Sequence, residues 1–353
     1  MKGLILAAGM GTRLRPITSL APKPTISVAN KPLIYYAADN LVEVGVTEIG
    51  IVVSPSTIEG LKASLKDYAG ASFTYIVQDP PEGLAHAVKV SRDFLQDDDF
   101  VMYLGDNLFE HGVKEVAERF KPGETDAVLA LTQVDDPRAF GVAVVEDGRI
   151  TRLVEKPKDP PSNLAVAGVY VFAKTIHDQI EGLERGAKNE YQITDAIQKL
   201  ITAGGTVAAG EVSGWWKDTG HPGDILDANR LLLMRAVKKV EGSVEDSNLV
   251  GAVVVEAGAS LKNATVFGPA VIGAGTHVEN AFIGPYTTLG KNVTLKDAEL
   301  EYSVVGDNTH IENVSARIQA SLIGADVTIS GHRTRPKSHS LTVGDKSVLE
   351  LHE

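Results

Sequence analysis

Cysteine is absent from the 353 residues of this chain. Without thiols there are no disulfides, no thiolate metal ligands and no cysteine nucleophile. Also missing is any apolar run near the ~18–20 residues that cross a bilayer. The N-terminal "MKGLILAAG" has one lysine and a short apolar stretch. A signal peptide has a longer apolar core and a cleavage site, so this stretch reads as a first strand, and a cytoplasmic location is expected. Positive charge is scarce: 34 Lys and Arg stand against 46 Asp and Glu, a net charge of −12. A nucleic-acid partner usually meets a basic face. The expectation is therefore no nucleic acid and no membrane. An anionic small substrate stays compatible if the few cations gather in one cleft.

The length has room for about two domains of roughly 100–200 residues each. Short β-rich apolar runs at 4–7, 49–53, 73–77 and 100–104 are joined by segments that include helical spacing at 33–44. This pattern predicts an α/β fold with a mostly parallel, Rossmann-like sheet and helices on both faces. Ligands of such sheets bind beyond the carboxyl ends of the strands. Near residue 240 the texture changes. Helical spacing over 224–239 runs into the polar "VEGSVEDSN", read as a linker, which divides the chain into 1–240 and 241–353. Beyond it, aliphatic residues step by six: Ile272 and Val278, then Ile283, Leu289 and Leu295, then Val305 and Ile311. A six-residue repeat with one aliphatic per unit predicts a parallel β-helix, with three sides making a coil of eighteen. Its open ends and flat faces predict a homo-oligomer. After Gly331 the tail is polar and basic.

"LAAGMGTRLRP", residues 6–16, follows the first strand. It lacks the Lys-Ser/Thr of a P-loop. With Leu14 at the third-glycine position it also lacks the dinucleotide fingerprint. A plain strand-to-helix turn accounts for the glycines but leaves Arg13, Arg15 and Lys23 unexplained. A phosphate site uses all of them. Backbone at Ala8, Gly9, Gly11 and Thr12 can approach a triphosphate closely, Arg13 offers a planar fork, and Lys23 offers a point charge.

From Gly11 to Tyr36, "GTRLRPIT…PKP…NKPLIYY" resembles the opening signature of sugar nucleotidylyltransferases. "LGDN" at 104–107, "FGV" at 140–142, "VEKP" at 154–157 and "WWKDTG" at 215–220 resemble further family segments, in the family's order. The similarity covers essentially the whole chain and is greatest to the long form of glucose-1-phosphate thymidylyltransferase, which carries a C-terminal left-handed β-helix. The resemblance implies transfer of deoxythymidylyl from dTTP to glucose 1-phosphate, with Mg²⁺. The attacking phosphate is already an anion, so no general base is needed. Alignment and charge neutralisation carry the reaction, in keeping with the lack of a Ser/His/Asp pattern.

The resemblance assigns the metal to Asp106 and Asp218, and Mg²⁺ does take only one or two protein carboxylates plus phosphate oxygens. Arg13 and Lys23 would neutralise the triphosphate, Lys156 would grip the sugar phosphate, and Glu155 would bond a sugar hydroxyl. Gly141, Val166 and Glu190 fall on the sugar side, while Gln78 and Gly83 fall on the base. Three positions depart from the family's habit: Ala167 in place of a threonine, His86 in place of a glutamine, and Gln192 in place of an acid. Thymine and uracil share the edge that Gln78 would read and differ by one methyl, worth ~1–3 kcal/mol. UTP, or another sugar 1-phosphate, therefore stays open. So does an acyltransferase β-helix using His277 or His310 as a base. A non-catalytic relative tends to lose the cations or carboxylates, and here all are present.

Overall fold

The computed structural model describes residues 1–186 and 189–331, so the basic tail after Gly331 lies outside the described residues. The chain divides into two compact units, Met1–Arg235 and Ala236–Glu353.

In the first unit, nine strands form one sheet. Its order is Ser72–Val77, Glu48–Val53, Lys2–Leu6, Phe100–Leu104, Leu164–Phe172, Ala127–Gln133, Val207–Glu211, Arg149–Glu155 and Gly141–Glu146. The first four are mutually parallel. Leu164–Phe172 and Arg149–Glu155 run against the other seven. Side chains alternate between faces along each strand. Leu4 joins a core under the helices Leu84–Val90, Ile176–Glu181 and Ile193–Thr202. Its neighbour Ile5 joins a second core under Leu33–Glu43 and Ile58–Leu65. Burial on both faces explains why the strands read as continuous apolar runs.

Sheet order sets the site. Leu6 lies beside Leu104, and Gly105 donates to the Leu6 carbonyl at 3.0 Å. Gln78 donates its backbone N–H to Val53 at 2.8 Å. Three carboxyl ends thus deliver the glycine loop, Asp106 and Gln78 to one edge.

The second unit has three parallel sheets of six, six and five strands, consistent with a left-handed β-helix. Leu261, Val278, Leu295 and Ile311 stack in register and form part of its core. His277 and His310 lie on the same sheet, facing outward and exposed. Two sequence expectations are corrected. Early coils take seventeen residues, as in Ser260 to His277, not eighteen. Successive strands begin seven, five and five residues apart, at Val253, Ser260, Thr265 and Ala270. Two corners are therefore tight, one of them turned by Asn263 at φ 49°. "VEGSVEDSN" is not a linker. It contributes the end of Lys239–Val240, all of Ser243–Glu245 and the start of Asn248–Val250, the first coil. A terminal coil has a neighbour on one side only and stays polar and exposed. The preceding helix is correspondingly short, Pro222–Leu233.

Among the described residues, no helix is long and apolar enough to cross a membrane.

Candidate active site

The two loop glycines have different reasons to be glycine. Gly11 has φ 57°, and a Cβ there would stand 3.0 Å from Thr18 and 3.1 Å from Lys23. It shapes the backbone, and Thr18 Oγ1 ties its carbonyl at 2.7 Å. A Cβ on Gly9 would meet nothing within 4 Å, so no folding constraint demands glycine there. Thr12–Leu14 then forms one 3₁₀ turn with Leu14 buried, which leaves Arg13 and Arg15 outside. Arg13 Nη1 lies 3.2 Å from His221 Nε2.

Lys23 is only 8% exposed, and its ammonium lies 2.5 Å from Asp106 Oδ2 and 3.8 Å from Asp218 Oδ1. Asp106 follows the strand Phe100–Leu104. Asp218 arrives through Trp216–Asp218, which pairs antiparallel with Asn107–Phe109 and sets Asp218 opposite Asn107. Asn107 Nδ2 donates to Asp106 Oδ1 at 2.8 Å, and Trp216 Nε1 donates to Asn107 Oδ1 at 2.6 Å. Thr219 Oγ1 holds the Asp106 carbonyl at 2.8 Å. Burial first, and then the Asp106 charge, push the Asp218 carboxyl above its usual range, while Lys23 and Arg13 oppose the shift. The described residues contain no cluster of three or more His, Asp or Glu placed to hold a metal. Two mutually repelling carboxylates at a cleft do fit Mg²⁺, which keeps its remaining sites for water and phosphate oxygens.

Of these groups, Lys23 and Asp106 border a cleft of about 350 Å³. Ala8, Gly9, Gln78 and Gly83 line one part. Glu155, Lys156 and Glu190 complete the predicted residues that line it. Gln78 is 4% exposed, and its Nε2 lies 3.0 Å from the Gly83 carbonyl. Gly83 has φ 108°, and a Cβ on it would lie 2.5 Å from the Tyr191 carbonyl, so only glycine fits. Glu155 Oε1 pairs with Lys156 Nζ at 2.8 Å, and its Oε2 accepts from Thr194 Oγ1 at 3.2 Å. Lys156 itself is left-handed, φ 42°, a conformation a non-glycine residue keeps only when its surroundings impose it.

Other predicted residues stand behind the cleft wall. A Cβ on Gly141 would lie 3.5 Å from both Glu155 and Val166, so Gly141 backs the glutamate and Val166 packs beside Gly141. Asp218 joins through Lys23, and Gly11, Thr12 and Arg13 belong to the loop rather than to the lining. Sequence reasoning left out Gln192, which lines the cleft and donates to Glu190 at 3.3 Å. It also passed over Thr194. Their position at the start of the helix Ile193–Thr202, Gln192 as its N-cap and Thr194 in its first turn, was the available signal. A larger concavity of about 480 Å³, lined by Arg119, Gln133 and Glu211, contains none of the candidate residues.

A Rossmann-like unit with cations and paired carboxylates at its strand ends is built to handle a nucleoside phosphate. The chain belongs to the nucleotidyl transferase family, whose profile, described as Nucleotidyl transferase, matches residues 2–235. It is 48% identical to the low-salt glycan biosynthesis nucleotidyltransferase Agl11 of Haloferax volcanii, over 99% of this chain and 100% of that one. It is 44% identical to a glucose-1-phosphate thymidylyltransferase of Streptomyces griseus, over 99% of each. A crystal structure of a putative glucose-1-phosphate thymidylyltransferase from Bacillus anthracis, in complex with a sucrose, superposes with a TM-score of 0.61 at 36% identity. That match covers 65% of this chain and 94% of the other.

Proposed function

We propose that this nucleotidyl transferase moves a deoxythymidylyl group from dTTP to glucose 1-phosphate, releasing pyrophosphate and dTDP-glucose. The observation that carries this reading is the convergence of Gln78, Lys23, Asp106, Glu155 and Lys156 on one cleft. The identity to a full-length thymidylyltransferase supports the choice of dTTP and glucose.

The sugar-phosphate oxygen attacks the α-phosphorus in line. The new P–O bond forms as the bond to the β-phosphate breaks, and pyrophosphate carries away the negative charge. Lys156 holds the incoming phosphate, and Glu155 accepts from a sugar hydroxyl. Lys23 and Arg13 neutralise the triphosphate, with Gly9 leaving room for its close approach. Gln78 pairs with the pyrimidine edge. Mg²⁺, held by Asp106 and Asp218, would offset phosphate charge. Lys23 also pairs with both of those carboxylates and offsets their mutual repulsion. We place the enzyme in the cytoplasm as a homo-oligomer assembled through its β-helix.

Pyrophosphate release with Mg²⁺, over a grid of nucleoside triphosphates against sugar 1-phosphates, tests the proposal. The strongest rate is expected for dTTP with glucose 1-phosphate. A stronger rate for UTP or another sugar keeps the mechanism and replaces the substrates. No release for any pair overturns the catalytic reading in favour of a regulatory one.

A further inference from the structure

Gln78 is an amide with two chemically opposite ends, and only the oxygen end can accept from the N3–H of a thymine or uracil ring. The N3–H of those bases is a donor and needs an acceptor. Cytosine has a bare N3 there and needs a donor. What Gln78 selects therefore depends on which end it turns to the cleft.

Two contacts fix that choice. Gln78 Nε2 lies 3.0 Å from the Gly83 carbonyl and 3.1 Å from His86 Nδ1. An amide NH₂ has two N–H bonds to give, and these are their two acceptors. The reversed amide would set Oε1 against the Gly83 carbonyl, oxygen against oxygen. Because an amide nitrogen only donates, His86 Nδ1 must be unprotonated and the imidazole proton must sit on Nε2. Nε2 faces Glu82 Oε2 at 3.8 Å. Glu82 is itself anchored: its Oε1 bonds Arg185, and its carbonyl accepts from Tyr191 N at 2.8 Å. Arg185 lies over the Tyr191 ring at 5.0 Å. An ordered line thus runs from Arg185 through Glu82 and His86 to the Gln78 nitrogen, leaving Oε1 as the end that faces a base.

We propose that His86 is a positioning residue that fixes the Gln78 amide with its oxygen toward the base, and so restricts the cleft to pyrimidines bearing an N3–H. This rests on the base-reading role of Gln78 proposed above. His86 does not separate dTTP from UTP, which share the N3–H. It separates both from cytidine nucleotides. Losing the Nδ1 acceptor leaves one N–H of a nearly buried amide without its partner, and the amide can then turn that N–H toward the cleft.

The experiment is equilibrium binding of dTTP and of dCTP to the full chain by calorimetry, with Mg²⁺ present, in the wild type and three variants, with a fourth held in reserve. Wild type is expected to prefer dTTP. His86→Phe, which keeps a ring but removes the acceptor, is expected to lose about tenfold or more of that preference, the scale of one hydrogen bond. His86→Gln restores an acceptor and is expected to keep it. The KM for glucose 1-phosphate is expected to stay at the wild-type value in both. Weakening of both nucleotides by the same factor in His86→Phe marks a structural role alone and overturns the proposal. Should that variant melt below the assay temperature, His86→Ala is read by the same ratio. Gln78→Leu separates the two levels of the argument. If it abolishes the preference while His86→Phe does not, the His86 inference falls and base reading stands. If Gln78→Leu keeps the preference, base reading falls and takes the inference with it.

Discussion

At the scale of residues, the two glycines of the first loop make opposite predictions. Gly9→Ala adds a methyl to open space, so the melting temperature should stay near wild type while dTTP binds more weakly. Gly11→Ala forces a left-handed alanine at φ 57°, at a cost of about 1–2 kcal/mol, and should lower the melting temperature. An unchanged dTTP affinity in Gly9→Ala would remove the loop from the phosphate site. Asp106→Asn keeps the size of the side chain and its contacts with Asn107, but removes a charge from the pair that includes Asp218. Its turnover should fall by about 10²–10³ or more with circular dichroism unchanged. A wild-type rate with Mg²⁺ present would exclude Asp106 from the metal set. The motif words gave these residue types directly, because phosphate and metal chemistry require them. They did not give Lys23 as the cation shared by Asp106 and Asp218, since that bridge joins positions 23, 106 and 218.

At the scale of elements, the helix Ile176–Glu181 carries a buried histidine that the reaction does not use. His177 is stacked on Phe100, and its Nε2 has no partner among the described residues. Burial pushes its pKa down to about 4, helped by Arg92 and opposed by Asp178 and Asp97. The folded-state pKa lies below the ordinary ~6.5, so the unfolded chain binds more protons between those two values. Stability from this group is complete above ~6.5 and is lost as pH falls toward about 4. Urea unfolding of wild type and His177→Phe across that window should give a smaller acid loss in the variant; equal slopes would assign the loss to other groups. Helices and strands of this unit were legible because alternation and helical spacing follow from one buried face per element. The coil length was less legible. Aliphatic steps of six imply equal sides, whereas corner geometry sets strand starts at seven, five and five.

At the scale of the whole molecule, two units with separate cores predict two transitions in a calorimetric scan. A ligand stabilises what it binds, by about 2.7 kcal/mol at 100 times its dissociation constant. Mg-dTTP should raise the transition of the first unit and leave that of the β-helix in place. A single transition that shifts as a whole would show that they unfold as one. The sequence by itself determined the two architectures, because periodicity states which residues need burial. It also determined the chemical inventory of the site, because phosphates demand cations, carboxylates and glycine. Only the tertiary structure decided which of these residues share a cleft. Sheet neighbours such as Lys2–Leu6 and Phe100–Leu104 are remote in sequence, and no local pattern encodes their order. The same holds for Asp218 opposite Asn107, for Gln192 on the cleft wall, and for His86 on the Gln78 amide. Each is a contact made by packing, after the local pattern has been spent on forming the elements.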